Sequence, residues 1–461
     1  MFAPDKARIE HHVFRRTKSI CHVCLRDVPA ELVVKNDKVF MLKYCPEHGD
    51  MEVFLSAMPD YFQELSDAYY TIVPENLPVR ILEIVLTPRC SMNCPICSVM
   101  STVGNASSDM SLDDIEKIIM ANKRKEFILW GMEPTEHPLI EKVLELFKKH
   151  KKTAMLFTNG QKIADIDFLC KLKKAGLKHV YLQFDGFNDQ TYEKLRSASL
   201  IENKIKALEN LKELNISTTL NVTLAKGINE QEILSIIKYA EENSFIRQIG
   251  FLPLIKVGKA DEFNECSIPH CHEFLKIIED QTKGLIKVDD LRMFQKLMYV
   301  VYRFARFRRC FWFTMFMLVW DSHERRYKSI ADFIDLPKVE KMVDGYIHQL
   351  KTGAGKFRQA IHLVKIMRAL ISLKSIKFCF KALRFFLGGK KIENARQGQG
   401  MLFVTCTDFC DFYKMDLDMA DKYCEELLAI SSEEGKLEYQ PTYAKVIDQS
   451  KLLKNERRFN R

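Results

Sequence analysis

The sequence predicts an α/β protein in which a parallel sheet of six strands alternates with helices. A small metal-binding module stands before the sheet and a mainly helical region follows it. Three observations predict this. Apolar and amphipathic stretches alternate from residue 81 to about 260, the pattern of βα units around a parallel sheet. Cys90, Cys94 and Cys97 crowd into the loop directly after the first of those strands. Near the start of the chain, a CxxC and a CxxH pair flank a hairpin signal.

In chain order, the first unit is the N-terminal module, within residues 1–75. Cys21 and Cys24 form the CxxC, AELVVKNDKVFMLKY reads as a hairpin turning at Asn36-Asp37, and Cys45 and His48 stand in CPEHG. Two ligand knuckles joined by a hairpin bring four donors together, the arrangement of a structural tetrahedral site for zinc or a rubredoxin-like iron. So small a module needs its metal to fold.

The sheet occupies residues 76–260. Its strands are expected at 81–87, 126–130, 153–157, 179–185, 217–223 and 247–252, with helices near 112–123, 138–150, 165–175, 201–214 and 229–242. Ser111 with Asp114 reads as a capping box for the first helix. The cysteine loop then falls at the carboxyl edge of the first strand, where ligands bind in such sheets. Three thiolates can hold three irons of a [4Fe-4S] cluster and leave the fourth iron open. A zinc loop would need a fourth ligand from elsewhere.

The CxxxCxxC spacing after a strand resembles the signature of the radical S-adenosylmethionine (SAM) superfamily. The resemblance implies a partial (βα)6 barrel and reductive cleavage of SAM to a 5'-deoxyadenosyl radical that abstracts hydrogen from an unactivated carbon. It also implies a low-potential electron donor such as ferredoxin or flavodoxin. Gly131-Met132-Glu133-Pro134 resembles the GGEP motif that contacts the SAM amino group, with Met132 in place of the second glycine. By the same resemblance, Thr158 and Asn159 face the barrel mouth, Gln183, Asp185, Asn221 and Thr223 offer polar contacts to the SAM ribose and carboxylate, and Leu252 and Pro253 flank the adenine.

The region 261–461 carries Cys266, Cys271, Cys310, Cys406, Cys410 and Cys424. Cys266, Cys271, Cys406 and Cys410, with Cys424 as the next choice, are candidate ligands of an auxiliary iron-sulfur cluster. Reduced buried thiols are the alternative, and the expected state of Cys170 and Cys379. Together, the CxxC and CPEHG module, the barrel and the stretch DFYKMDLDMADKYC resemble archaeal tetraether lipid synthases and relatives first described as pterin-dependent radical SAM methyltransferases. The auxiliary cysteine set is smaller here, and a later C-terminal cysteine motif is absent.

The charge points to a surface. The chain is 461 residues long and carries a net charge of +9. From Lys351 to Arg396 there are twelve Lys or Arg and one acid, Glu393. Lys374, Lys377, Lys381 and Arg384 recur at helical spacing beside an apolar row, as in an interfacial helix. Residues 300–320 place four arginines before an apolar block, read as a shallow membrane-inserting helix or a buried core helix. At eleven residues that block would reach only about half the hydrocarbon core. Blocks this apolar are unlike an open phosphate-tracking groove, so no nucleic acid partner is expected. Cysteines clustered as ligands, with no apolar run opening the chain, fit a reducing cytoplasm and a peripheral place on an anionic membrane surface. The expected function is radical C-C bond formation on a long-chain lipid. The alternatives are methyl or methylene transfer to a pterin-like heterocycle, or modification of a peptide.

Overall fold

The computed structural model describes residues 12–75, 77, 81–98, 108–264, 272–306, 309–311, 313–370, 400–407, 411–423, 426–431 and 437–441. The chain opens with a four-stranded antiparallel sheet made of β1 (His12–Ile20), β2 (Asp27–Lys35), β3 (Lys38–Cys45) and β4 (Gly49–Ser56), in that order. Asn36 and Asp37 both have positive φ, 51° and 56°, which makes the two-residue turn whose twist suits a hairpin. The CxxC lies between β1 and β2, and the CxxH between β3 and β4, so antiparallel pairing sets the two knuckles side by side. Helix α1 (Pro59–Ile72) connects this ribbon to the barrel.

Six parallel strands follow: β5 (Ile81–Val85), β6 (Glu126–Trp130), β7 (Thr153–Thr158), β8 (His179–Gln183), β9 (Ser217–Leu224) and β10 (Ile246–Pro253). Between them run α2 (Leu112–Ala121), α3 (Ile140–Lys149), α4 (Ile166–Ala175), α5 (Asp189–Arg196), α6 (Ile201–Glu213) and α7 (Ile233–Glu242). Ser111 caps α2 by accepting from the Asp114 amide at 3.1 Å. Alternate strand residues such as Leu82 and Ile84, Leu156, Val180 and Leu182, Leu220 and Val222 join the helices in one apolar core. The intervening positions therefore face the other side of the sheet, as a two-residue period requires.

The C-terminal region adds α8 (His272–Gln281), α9 (Val288–Ala305), α10 (Leu336–Lys351) and α11 (Lys356–Leu370). It also widens the sheet. The described order is β12-β11-β13-β10-β9-β8-β7-β6-β5-β14-β15, with β11 Phe313–Asp321, β12 Arg326–Ser329, β13 Met401–Thr407, β14 Glu426–Ser431 and β15 Leu437–Pro441. β13 lies parallel to β10, and β14 parallel to β5. Residues 411–423, including α12 (Leu417–Tyr423), lie in the connection from one edge of the barrel to the other.

The apolar block at 310–320 is neither a membrane-inserting helix nor a core helix. Residues 313–321 are strand β11, antiparallel to β13. A short run apolar on both faces suits a doubly covered strand as well as a buried helix, and its Phe, Thr, Val and Trp residues favour the strand. Lys374, Lys377, Lys381 and Arg384 lie outside the described residues, as do Cys266, Cys271, Cys379, Cys410 and Cys424. Among the described residues no helix is long and apolar enough to cross a membrane.

Candidate functional site

The three cysteines lie in an irregular loop leaving the carboxyl end of β5. Neighbouring elements pin the loop at both ends. The Ser91 amide donates to Glu136 Oε1 at 2.7 Å, and the Lys259 amide, just past β10, donates to the Cys97 carbonyl at 3.1 Å. Gly258 makes that approach possible, since a Cβ there would lie 2.6 Å from the Cys97 oxygen. All three thiols are partly exposed. Burial pushes the Cys90 thiol up to about 12, with the charges of Glu133, Cys94 and Glu136 acting the same way. A thiolate is held at such a position by a cationic partner, and cluster iron supplies that charge. Three free, partly exposed thiols on one loop are the donor chemistry that a [4Fe-4S] cluster with one open iron takes.

The turn after β6 is built onto this loop. The amides of Met132 and Glu133 donate to the carbonyls of Thr87 and Arg89 at 3.2 and 2.9 Å. Gly131 has φ +131°, and a Cβ there would meet the Thr87 oxygen at 2.8 Å, so this position requires glycine. The Glu133 carboxylate is buried and engaged by the protein. Its Oε1 accepts from the Thr135 amide (3.1 Å) and from the hydroxyls of Thr135 (2.5 Å) and Thr158 (2.7 Å), while Oε2 accepts from the Asn159 amide (2.7 Å). Glu133 therefore fixes the turn, and Pro134 starts the short 3-10 turn that it caps. Asn159 Nδ2 lies 4.0 Å from Cys90 Sγ.

At the ends of β8 and β9 the structure reveals two buried cations that sequence reasoning missed. Asp185 is fully buried. Its Oδ2 accepts from Gln183 Nε2 (2.6 Å) and Arg196 Nε (2.8 Å), and its Oδ1 from Arg196 Nη2 (3.1 Å) and the Thr223 amide (3.0 Å). Arg196 also donates to the Thr223 hydroxyl at 2.9 Å. Burial works against its charge, but Asp185, and next to it Cys94, hold Arg196 above the usual arginine range. Asp185 and Thr223 thus converge on one guanidinium beside the cysteine loop, and Gln183 braces Asp185. Lys204 Nζ donates to the Asn159 and Gln183 carbonyls (2.5 and 2.8 Å) and to Gln183 Oε1 (2.5 Å), and burial pulls it down to about 7. Its sequence signal was a lysine in the apolar stripe Leu200, Ala207, Leu208, Leu211 of α6. Arg196 had no such signal, because it ends a short polar helix.

Asn221 on β9 is buried, and its Nδ2 has no hydrogen-bond partner among the described residues. Leu252 and Pro253 end β10, paired with Thr223 and Leu224 of β9.

In the ribbon, the ligand atoms of Cys21, Cys24, Cys45 and His48 lie within 4.8 Å of one another. Cys24 Sγ is 3.8 Å from Cys45 Sγ, and His48 Nδ1 is 3.4 and 3.6 Å from Cys45 and Cys21 Sγ. Ligands about 2.3 Å from a zinc ion stand about 3.8 Å apart at tetrahedral corners. These four residues fit one ion. Among the described residues no second group of three or more His, Cys, Asp or Glu has its ligand atoms as close together as this. Cys406, on β13, is buried in the apolar core.

A family model described as the radical SAM superfamily matches residues 84–240, and one described as the HMPTM N-terminal zinc ribbon domain matches residues 13–57. Residues 84–240 therefore form a radical SAM superfamily domain, and the protein is an enzyme. It is 27% identical, over 89% of its own length and 90% of the relative's, to the 7,8-dihydro-6-hydroxymethylpterin dimethyltransferase of Methanocaldococcus jannaschii. It is also 27% identical, over 49% of its length and 71% of the relative's, to a probable GTP 3',8-cyclase of Pyrococcus horikoshii. Among solved structures it resembles Streptococcus suis SuiB bound to the precursor peptide SuiA, with 13% identity, a TM-score of 0.39 and coverage of 58% of this chain and 70% of that one.

Proposed function

We propose that this enzyme transfers methyl or methylene groups to a pterin-like heterocycle by radical SAM chemistry, one SAM being cleaved to the 5'-deoxyadenosyl radical and methionine while a second SAM gives up the transferred carbon and leaves as S-adenosylhomocysteine. The supporting observation is likeness along nearly the whole chain, ribbon and C-terminal region included, to a relative named as a pterin dimethyltransferase. Cys90, Cys94 and Cys97 hold the cluster in this reading. When bound, the cluster supplies the electron that cleaves SAM reductively and so starts the radical reaction.

The chain's own residues bind and orient. Backbone acceptors of Gly131, Met132 and Pro134 receive the SAM ammonium, in a turn that Glu133 and Thr158 keep rigid. Arg196, aligned by Asp185 and Thr223, meets the SAM carboxylate, and Asn159 and Asn221 offer amide donors to polar atoms nearby. Leu252 and Pro253 cover the adenine. A low-potential ferredoxin or flavodoxin supplies electrons. The ribbon holds its metal in a closed ligand set, which makes that metal structural. Cys406, from within β13, is one ligand of an auxiliary cluster only if Cys266, Cys271, Cys410 or Cys424 reach it.

A second reading is C-C bond formation on a long-chain lipid. The exposed apolar and basic face of α11 favours it, since it suits an enzyme working beside a membrane. Native mass spectrometry of the anaerobically purified protein separates the two. A bound pterin supports the first reading, and enrichment of polar long-chain lipids with no pterin overturns it in favour of the second.

A further inference from the structure

Helix α11 has two faces, and one is packed. Ile366 and Ala369 are buried. The His362 ring rests on Gly345 of α10, where a Cβ would come within 2.8 Å of it. The seat of α11 on α10 is thus fixed at a position that leaves no room for a side chain. The outer face carries Phe357, Ile361, Val364 and Met367, with exposures of 78%, 41%, 50% and 57%. Spacings of four, three and three residues hold these side chains within an arc of about 120°. A single exposed apolar residue is ordinary, whereas four in one stripe mark an interaction surface. Lys356, Arg358, Lys365 and Arg368 are all exposed on the same helix, which has no acidic residue. The sequence beyond it adds Lys374, Lys377, Lys381 and Arg384 before the first acid, Glu393.

We infer that this face docks on an anionic phospholipid membrane. Charge decides between the occupants. A second copy joined symmetrically through the same face would set four cations against four cations. An anionic bilayer accepts both parts of the pattern, since the apolar stripe enters the acyl boundary and the cations meet phosphates. Exposed cations at Lys356, Arg358, Lys365 and Arg368 along its described length keep the helix at the interface. The inference holds for either substrate reading, because it concerns where the enzyme sits.

Co-sedimentation of the full chain with lipid vesicles tests it without reference to activity. At low salt the protein pellets with vesicles containing phosphatidylglycerol and stays in solution with pure phosphatidylcholine. Lys365→Gln combined with Arg368→Gln lowers the partition coefficient about 25-fold, and high salt reproduces that loss. Phe357→Ser, Ile361→Ser, Val364→Ser and Met367→Ser together abolish pelleting while iron content and circular dichroism stay unchanged, since these side chains leave the core intact. Failure of the unaltered chain to pellet with anionic vesicles at low salt overturns the inference. So does pelleting of both variants at the original level. A dimer seen by light scattering without lipid, and dissolved by the four serine substitutions, overturns it in favour of a second copy.

Discussion

The Nζ of Lys43, buried in the ribbon, lies 2.6 Å from the carbonyl oxygen of Tyr413 on the segment that crosses from β13 to β14. The same ammonium donates to the carbonyls of Ile20 (3.0 Å) and Phe412 (3.2 Å). Burial pulls Lys43 down to about 8, partly offset by Asp411 and Cys21. Thr17 donates to Asp416 at 2.6 Å, Arg15 pairs with the same carboxylate, and the rings of His22 and Tyr413 stack at 4.6 Å. Ile20 and Leu25 of the ribbon pack with Phe412, Met415 and Leu417. The metal knuckles therefore support the socket that holds the crossing segment.

Removing the ribbon metal should release that segment first. After chelation, residues 411–419 should lose hydrogen-exchange protection while the strands β6 to β9 keep theirs, and Lys43→Met should produce part of the same change with metal bound. Uniform loss across the barrel, or no loss at 411–419, contradicts the socket.

Gly131→Ala should displace the turn after β6, because its Cβ meets a backbone oxygen that cannot swing aside. SAM affinity should fall by tenfold or more with iron content retained. Equilibrium dialysis of the anaerobic protein checks this, and unchanged affinity contradicts the role given to the turn.

Arg196→Met should weaken SAM binding by about tenfold to hundredfold, the range of a charge-assisted hydrogen bond. Asp185→Asn should fall between this variant and the unaltered enzyme, since it loosens Arg196 but keeps the charge. Methionine competition distinguishes a carboxylate contact from general damage. The Arg196 variant should lose methionine binding in step with SAM, and intact methionine binding would contradict the contact.

Two buried histidines make stability depend on acid. Burial pushes His179 and His272 down to about 3, aided by Arg247 and Lys414 respectively. His179 stays neutral between the hydroxyls of Ser217 (3.0 Å) and Thr219 (3.1 Å). Between the ordinary histidine value near 6.5 and the folded value near 3, the unfolded chain takes up the proton and the folded one does not. Stability is therefore full above about pH 6.5 and falls as pH drops through that window, by roughly 2 kcal/mol per histidine at pH 5. His179→Gln should flatten the change in urea midpoint between pH 7 and pH 5, and an unaltered slope would count against a neutral buried His179.

Much of this was legible in the chain because the signals were local. The barrel strands show as apolar runs, the ribbon as ligand knuckles around Asn36-Asp37, and the cysteine loop as a spacing. Long-range pairing was not legible. Nothing local in 401–407 or 426–431 says that these strands extend the sheet at opposite edges, and 313–321 could be placed only once β13 was there to pair with it. Asp185 was visible as a polar strand end, but its partner Arg196 sits eleven residues on, in a helix whose polar sequence hides its buried end. Glu133 was visible too, and its work on the turn became clear only with Thr158 and Asn159 in place.

The most direct test of the central claim is anaerobic turnover with a low-potential reductant, methyl-labelled SAM and 7,8-dihydro-6-hydroxymethylpterin, followed by mass spectrometry of the products. Transfer to a pterin predicts 5'-deoxyadenosine together with a pterin carrying added methyl or methylene groups, and neither product from Cys94→Ala. Formation of 5'-deoxyadenosine with the pterin unmodified and unbound would contradict transfer to a pterin, and its formation by Cys94→Ala would contradict the cluster assignment itself.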